Sequence, residues 1–229
     1  KYVPGPNLNR ARGMHNCVLL PDRTVLVSGG GLRGESRADA VHEAELYDPV
    51  TNTFKLAARA QVNRLYHSVA LLLPDARVIT AGSNPDRGDD ELRLELYHPP
   101  YLFRGPRPVI SDAPEQITYG AAFAIHTPQA ERIRWAQLIR PMAVTHSCDT
   151  SQRVVELEFE RDGLCHLRTR APRNRCLAPP GWYMLFLTDT EGVPSVAHWV
   201  RLDGAPTPSA RRSSEVLHTD PALAHRHQR

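Results

Sequence analysis

The chain has 229 residues, 41% of them hydrophobic, enough to bury one large core or two ordinary ones. Its 28 Lys and Arg stand against 25 Asp and Glu, and the resulting charge of +3 is spread along the chain rather than gathered into a stripe, which speaks against a nucleic-acid partner. No apolar run approaches the ~20 residues of a membrane span, and the opening "KYVPGPNLNR" lacks the charged-then-apolar pattern of a signal peptide.

From the N-terminus, the first predicted elements come in two copies. "VLLPDRTVLVSGG" (18–30) returns as "LLLPDARVITAGS" (71–83), with 53 residues between the Asp residues of the two "LPD" turns. "AELYDP" (44–49) returns as "LELYHP" (94–99), 50 residues on. Each unit has an apolar β-rich run, a Pro-Asp turn, a second strand ending in Gly, and a third segment with Glu-Leu-Tyr before a proline. That period and punctuation are those of a kelch-type propeller blade, a four-stranded antiparallel sheet. Propellers close with roughly 4–8 blades, so two leave a ring incomplete. With Lys at position 1, the expectation is the C-terminal portion of a longer protein whose remaining blades are partners of this stretch. Tyr47 and Tyr97, repeated in both units, read as scaffold.

After "PPYLFRGPRP" (99–108) the texture changes to short strands separated by turn signals, as in an immunoglobulin-like sandwich. "VVELEFERDGLCHLRTR" (154–170) predicts a hairpin about Asp162-Gly163. "GWYMLFLTD" (181–189) predicts a strand buried on both faces, and "SVAHWVRL" (195–202) a closing strand; Trp135, Trp182 and Trp199 read as core. Helix signals are nearly absent. The fold class is therefore all-β: a partial kelch-type propeller of two blades over 1–104, an immunoglobulin-like sandwich over 105–203, and a mobile tail over 204–229. The tail histidines His218, His225 and His227 read as solvated. Cys17, Cys148, Cys165 and Cys176 show no zinc spacing; Cys165 and Cys176 are either a local disulfide of an exported chain or two reduced thiols.

One stretch stands apart from the scaffold. "NRLYHSVALLLPD" (63–75) sets Tyr66 beside His67, whose side chains would point to opposite faces of a regular strand. Counted back from "LPD" without a gap, Tyr66 falls opposite Gly13 and His67 opposite Met14, so the scaffold does not require the pair; a one-residue gap would instead set His67 against His15.

This stretch is similar to the last blade of the copper radical oxidases, the family of galactose oxidase and glyoxal oxidase, where an R-x-Y-H-S motif supplies an axial tyrosine and an equatorial histidine to one copper. "MAVTHSCDTSQRVVELEF" (142–159) resembles the family's T-H-x-x-x-x-x-Q-R segment with the second histidine. "LAPPGWYMLFLTDTEGVPSVAHWVRL" (177–202) resembles its P-G-x-x-M-L-F…G-V-P-S-V signature. The resemblance implies copper as cofactor, with Tyr66, His67 and His146 as ligands, a donor set suited to Cu(II). It also implies oxidation of a small alcohol, aldehyde or carbohydrate by O2 to give H2O2, with Tyr66 as general base, and an extracellular or periplasmic location. The family's second tyrosine, a radical thioether-linked to cysteine, belongs to earlier blades, so this stretch supplies three of four protein ligands and by itself is expected to be inactive. For Tyr66 and His67 to share an ion, residues 64–68 must form an irregular strand entry, with His146 on a polar loop reaching across from the sandwich. Arg64 and Arg153 flank these positions, as orienting or as surface residues, whereas His98, His126, His166 and His198 match no motif. The alternative reading is a propeller and sandwich module that binds glycan or cell-wall polymer without redox chemistry.

Overall fold

The computed structural model describes residues 1–33 and 35–204, so the tail positions 205–229 lie outside the described residues. The first repeat folds as an antiparallel meander of β1 (Asn16–Leu19), β2 (Val25–Ser28), β3 (Glu43–Asp48) and β4 (Thr53–Arg59). The second repeats three of these strands as β5 (Val69–Leu72), β6 (Val78–Ala81) and β7 (Glu95–Tyr97). Asn16 pairs with Ser28 and Val69 with Ala81, so the registers agree. Both "LPD" turns need a left-handed residue, supplied by Arg23 (φ 69°) and Ala76 (φ 65°). After Tyr97 the two units differ. Pro99 and Pro100 donate no backbone hydrogen bond, and the chain leaves in a short 3-10 turn (Pro100–Phe103) whose buried Tyr101 hydroxyl donates to the Ala76 carbonyl at 2.6 Å. Among the described residues no strand pairs with the outer edge of β7.

Side-chain alternation decides how the two sheets meet. Val18, Leu20 and Leu26 of the first share a core with Ala70, Leu72 and Val78 of the second. By repeat position Val18 matches Leu71 rather than Ala70, so the front of one sheet lies on the back of the next.

The rest is a two-sheet β structure. One sheet has the order β13 (Val154–Leu157), β10 (Ile133–Ile139), β16 (Gly181–Asp189), β17 (His198–Asp203), β8 (Gln116–Thr118), antiparallel except for the β17–β8 pair. The other has the order β14 (Phe159–Arg161), β15 (His166–Arg170), β9 (Ala122–His126). A small hairpin, β11 (Val144–Thr145) and β12 (Cys148–Asp149), stands apart from both. As expected, β16 is buried on both faces: Tyr183, Leu185 and Leu187 enter the sandwich core, while Met184 and Phe186 join Ile139 against the two N-terminal sheets. Both "LPD" turns dock here. The Pro21 carbonyl accepts from Gln137 and from Thr188 (3.0 Å), and the Pro74 carbonyl from the Ala197 amide (2.8 Å).

Three expectations need correction. The 154–170 segment is a hairpin only in part: β13 pairs with β10, and the chain crosses to the other sheet at Glu158 before β14 pairs with β15. Trp182 and Trp199 are 52% and 41% exposed, because alternation places them on the Met184 face beyond the part that the N-terminal sheets cover. Trp135 is half-buried between the guanidinium groups of Arg23 and Arg134, each 4.3 Å from its ring. All four cysteines are free. Among the described residues no helix is long and apolar enough to cross a membrane.

Candidate functional site

Residues 65–68 form a tight turn closed by a hydrogen bond from the Ser68 amide to the Leu65 carbonyl (3.0 Å), with His67 left-handed at φ 61°. This is the third position of a type II pattern, where Gly or Asn is usual, so His there carries about 1–3 kcal/mol of strain. The turn brings both side chains to one side: the Tyr66 and His67 rings lie face to face at 3.8 Å and 26°. The adjacency that a strand forbids is thus achieved by leaving the strand.

The turn is clamped on both flanks. The Gly30 amide donates to Arg64 O (2.7 Å), the Asn84 amide to Tyr66 O (2.8 Å), and the Leu65 amide to Ser83 Oγ (2.9 Å). At Gly29 (φ 71°) a Cβ would stand 2.4 Å from the Arg64 carbonyl oxygen, so only glycine allows this approach. Arg64 is not a surface residue. It is 2% exposed and donates to the carbonyls of Gly82 (2.9 Å) and Arg93 (2.8 Å) while pairing with Glu95 (3.3 Å). Arg12 does the same in the first unit, bonding Gly29 O, Glu43 O and Glu45. The recurring Glu of "ELY" was a legible sign of this buried pair.

These contacts settle the alignment of the repeats. The Gly31 amide bonds Gly13 O as the Asn84 amide bonds Tyr66 O, and Met14 (φ 56°) is left-handed like His67. Tyr66 and His67 therefore do stand where Gly13 and Met14 stand. The extra residue of the second unit is Leu65, inserted after the buried arginine. His15 is one place further on; burial, reinforced by the Arg12 charge, pushes its imidazole below the usual value.

His146 arrives from the other side. Val144 pairs with Asp149 and Thr145 with Cys148, leaving a two-residue turn with His146 (φ 51°) and Ser147 (φ 61°) both left-handed. This is the type I′ pattern, usually Asn-Gly. Asp149 holds its base by accepting from the Ala143 and Ser151 amides, each at 2.9 Å. Ser147 Oγ donates to the Met14 carbonyl (3.0 Å), Gln152 Nε2 to the Cys17 carbonyl (2.8 Å), and Thr145 Oγ1 lies 2.8 Å from His146 Nδ1. The hairpin so docked sets the His146 ring 5.0 Å from His67 at 83° and 5.8 Å from Tyr66 at 66°. Sequence reasoning missed Thr145 and Ser147, though both flank the matched histidine. Arg153 takes no part: its guanidinium donates to the carbonyls of Cys176 and Leu177.

The three rings gather one phenol and two imidazoles at the surface. Neither the Tyr66 hydroxyl nor the His67 ring has a hydrogen-bond partner among the described residues. Among those residues no group of three His, Cys, Asp or Glu could hold a metal ion. Two imidazoles and a phenolate are, however, donors that suit Cu(II), so the residues present fit copper in type and proximity.

Comparison with known proteins gives a consistent picture. The model described as "Glyoxal oxidase N-terminus" matches residues 6–101, and that described as "Galactose oxidase-like, Early set domain" matches 107–202. Aldehyde oxidase GLOX1 of Arabidopsis thaliana is 33% identical over 221 residues, covering 84% of this chain and 36% of the relative. Galactose oxidase of Gibberella zeae is 33% identical over 202 residues, covering 84% and 29%. The chain thus spans about a third of the length of these curated relatives. A fungal alcohol oxidase solved in complex with copper superposes with a TM-score of 0.78 at 30% identity, covering 86% of this chain and 43% of that one.

Proposed function

The chain belongs to the copper radical oxidase family of galactose oxidase and glyoxal oxidase, and on that premise we propose that Tyr66, His67 and His146 hold one copper ion in an enzyme that oxidises primary alcohols or aldehydes. The carrying observation is that three rings from segments about eighty residues apart meet within 5.8 Å. Copper, when bound, supplies a one-electron acceptor. Tyr66, whose hydroxyl has no partner among the described residues, receives the substrate hydroxyl proton at Oη. His67 and His146 hold their rings toward the same small volume through two strained, clamped turns. Overall, two protons and two electrons leave the substrate and reduce O2 to H2O2. This stretch would carry the metal-holding and proton-accepting half; by the family resemblance, a second tyrosine and its cysteine partner outside it would complete the reaction.

We further assign residues 1–104 to two blades of a propeller, 105–203 to the sandwich domain, and the enzyme to the extracellular or periplasmic space. Front-to-back stacking supports the blades, because a contact between unlike faces is heterologous, the kind of packing from which a ring can close. The open edge of β7, with Leu96 44% exposed, is where the strand equivalent to β4 would lie. The glycan-binding alternative would draw on exposed Trp182 and Trp199.

The test is copper loading of the full-length protein, followed by peroxide detection with simple aldehydes and primary alcohols. Copper-dependent turnover that falls at least ~100-fold in His146→Ala supports the oxidase. Glycan binding without copper-dependent peroxide supports the alternative.

A further inference from the structure

We propose that Thr145 and Ser147 are positioning residues for His146, one setting its ring and the other its backbone; this rests on His146 being a copper ligand. The His146-Ser147 turn lacks the Gly or Asn that a type I′ turn favours, so backbone preference opposes the conformation it adopts. His146 is exposed, and its edge contacts with His67 and Tyr66 restrain the ring's rotation only weakly. Its main restraint is polar: Thr145 Oγ1 stands 2.8 Å from Nδ1. With the Nδ1 proton donated to Thr145, the lone pair is on Nε2, the nitrogen left free for the ion.

Ser147 acts on the turn as a whole. Its Oγ donates to the carbonyl of Met14, the first-repeat counterpart of His67. The two strand entries are themselves joined, since Asn16 Nδ2 donates to Ser68 Oγ at 3.0 Å. Two side-chain hydrogen bonds, joined through the backbone of residues 14–16, therefore link the residue after His146 to the residue after His67. This link sets the spacing of two imidazoles that come from different sheets.

The experiment titrates Cu(II) into the 229-residue chain and its variants, reads affinity and nitrogen couplings by electron paramagnetic resonance, and follows the metal-free His146 ring by 15N NMR. Thr145→Val is expected to keep the wild-type thermal midpoint, to bind Cu(II) about 10–100-fold more weakly, and to show a mixture of ring tautomers. Thr145→Ser restores both readouts. Ser147→Ala weakens binding with the tautomer unchanged. Wild-type affinity and an unchanged tautomer in Thr145→Val would overturn the role of Thr145, and wild-type affinity in Ser147→Ala that of Ser147. His146→Ala separates the two layers. If copper binding survives that change, the ligand assignment fails, while the metal-free 15N readout still judges Thr145.

Discussion

At the scale of single residues, His67, His146 and Ser147 occupy backbone conformations that other residues would hold more cheaply. The double change His146→Asn with Ser147→Gly should therefore raise stability by about 1–2 kcal/mol, a thermal midpoint some 2–8 °C higher for a chain of this size, while abolishing Cu(II) binding; calorimetry and metal titration on one sample check both. Gly29→Ala acts in the opposite sense. Its Cβ would meet the Arg64 carbonyl at 2.4 Å in a left-handed conformation, so it should cost about 1–3 kcal/mol and displace the Tyr66-His67 turn. The pairing of Tyr66 with His67 was visible in the sequence as a departure from its sister repeat. An irregular entry over 64–68 was expected from the resemblance, but the type of turn was not legible, because His rather than Gly takes the left-handed position. Leu65 was invisible for a related reason: an inserted apolar residue in an apolar stretch changes no pattern.

At the scale of elements, each N-terminal sheet is tied to its entry segment by a buried arginine and the glutamate of "ELY". Arg12 and Glu45 have fully buried side chains 2.8 Å apart. Replacing Arg12 with Met strands the carboxylate and should cost about 3–5 kcal/mol in chemical denaturation. Burial pushes the Glu45 carboxyl up, but hydrogen bonds from Asn9 and the Arg10 amide, with the Arg12 charge, more than offset it and leave it below the usual range. A carboxylate depressed on folding adds stability above its unfolded value near ~4.3, and that stability drains away as pH falls toward the folded value. Glu45→Gln should accordingly flatten the acid limb of a stability profile below about pH 4.3 and leave the shape above it unchanged. Strand existence was legible from alternation and turn residues, and β16 most of all. Strand partnership was not. The run 154–170 alternates without interruption, yet β13 and β14 belong to different sheets, since switching at Glu158 is decided by which core each half can reach.

At the scale of the molecule, the site exists because two kinds of sheet are held in fixed relation. The carbonyls of Pro21 and Pro74, equivalent atoms of the repeat, receive donors from the sandwich, and Met184 and Phe186 close the apolar seam beneath. This seam sets the origin from which the β11–β12 hairpin reaches the Tyr66-His67 turn. The sequence offered a change of texture near residue 105 as the place to divide the chain, and His146 as part of a matched motif. The exposure of Trp182 and Trp199 was not readable, because it depends on where the N-terminal sheets stop covering the Met184 face.

The central claim is that these rings enclose one ion. It is tested most directly by an anomalous-scattering map at the copper edge from crystals of the copper-loaded protein. A single peak within bonding distance of nitrogen atoms of both His67 and His146, with the Tyr66 oxygen close by, is the predicted result; a peak bound to only one of them, or lying elsewhere on the molecule, would contradict it.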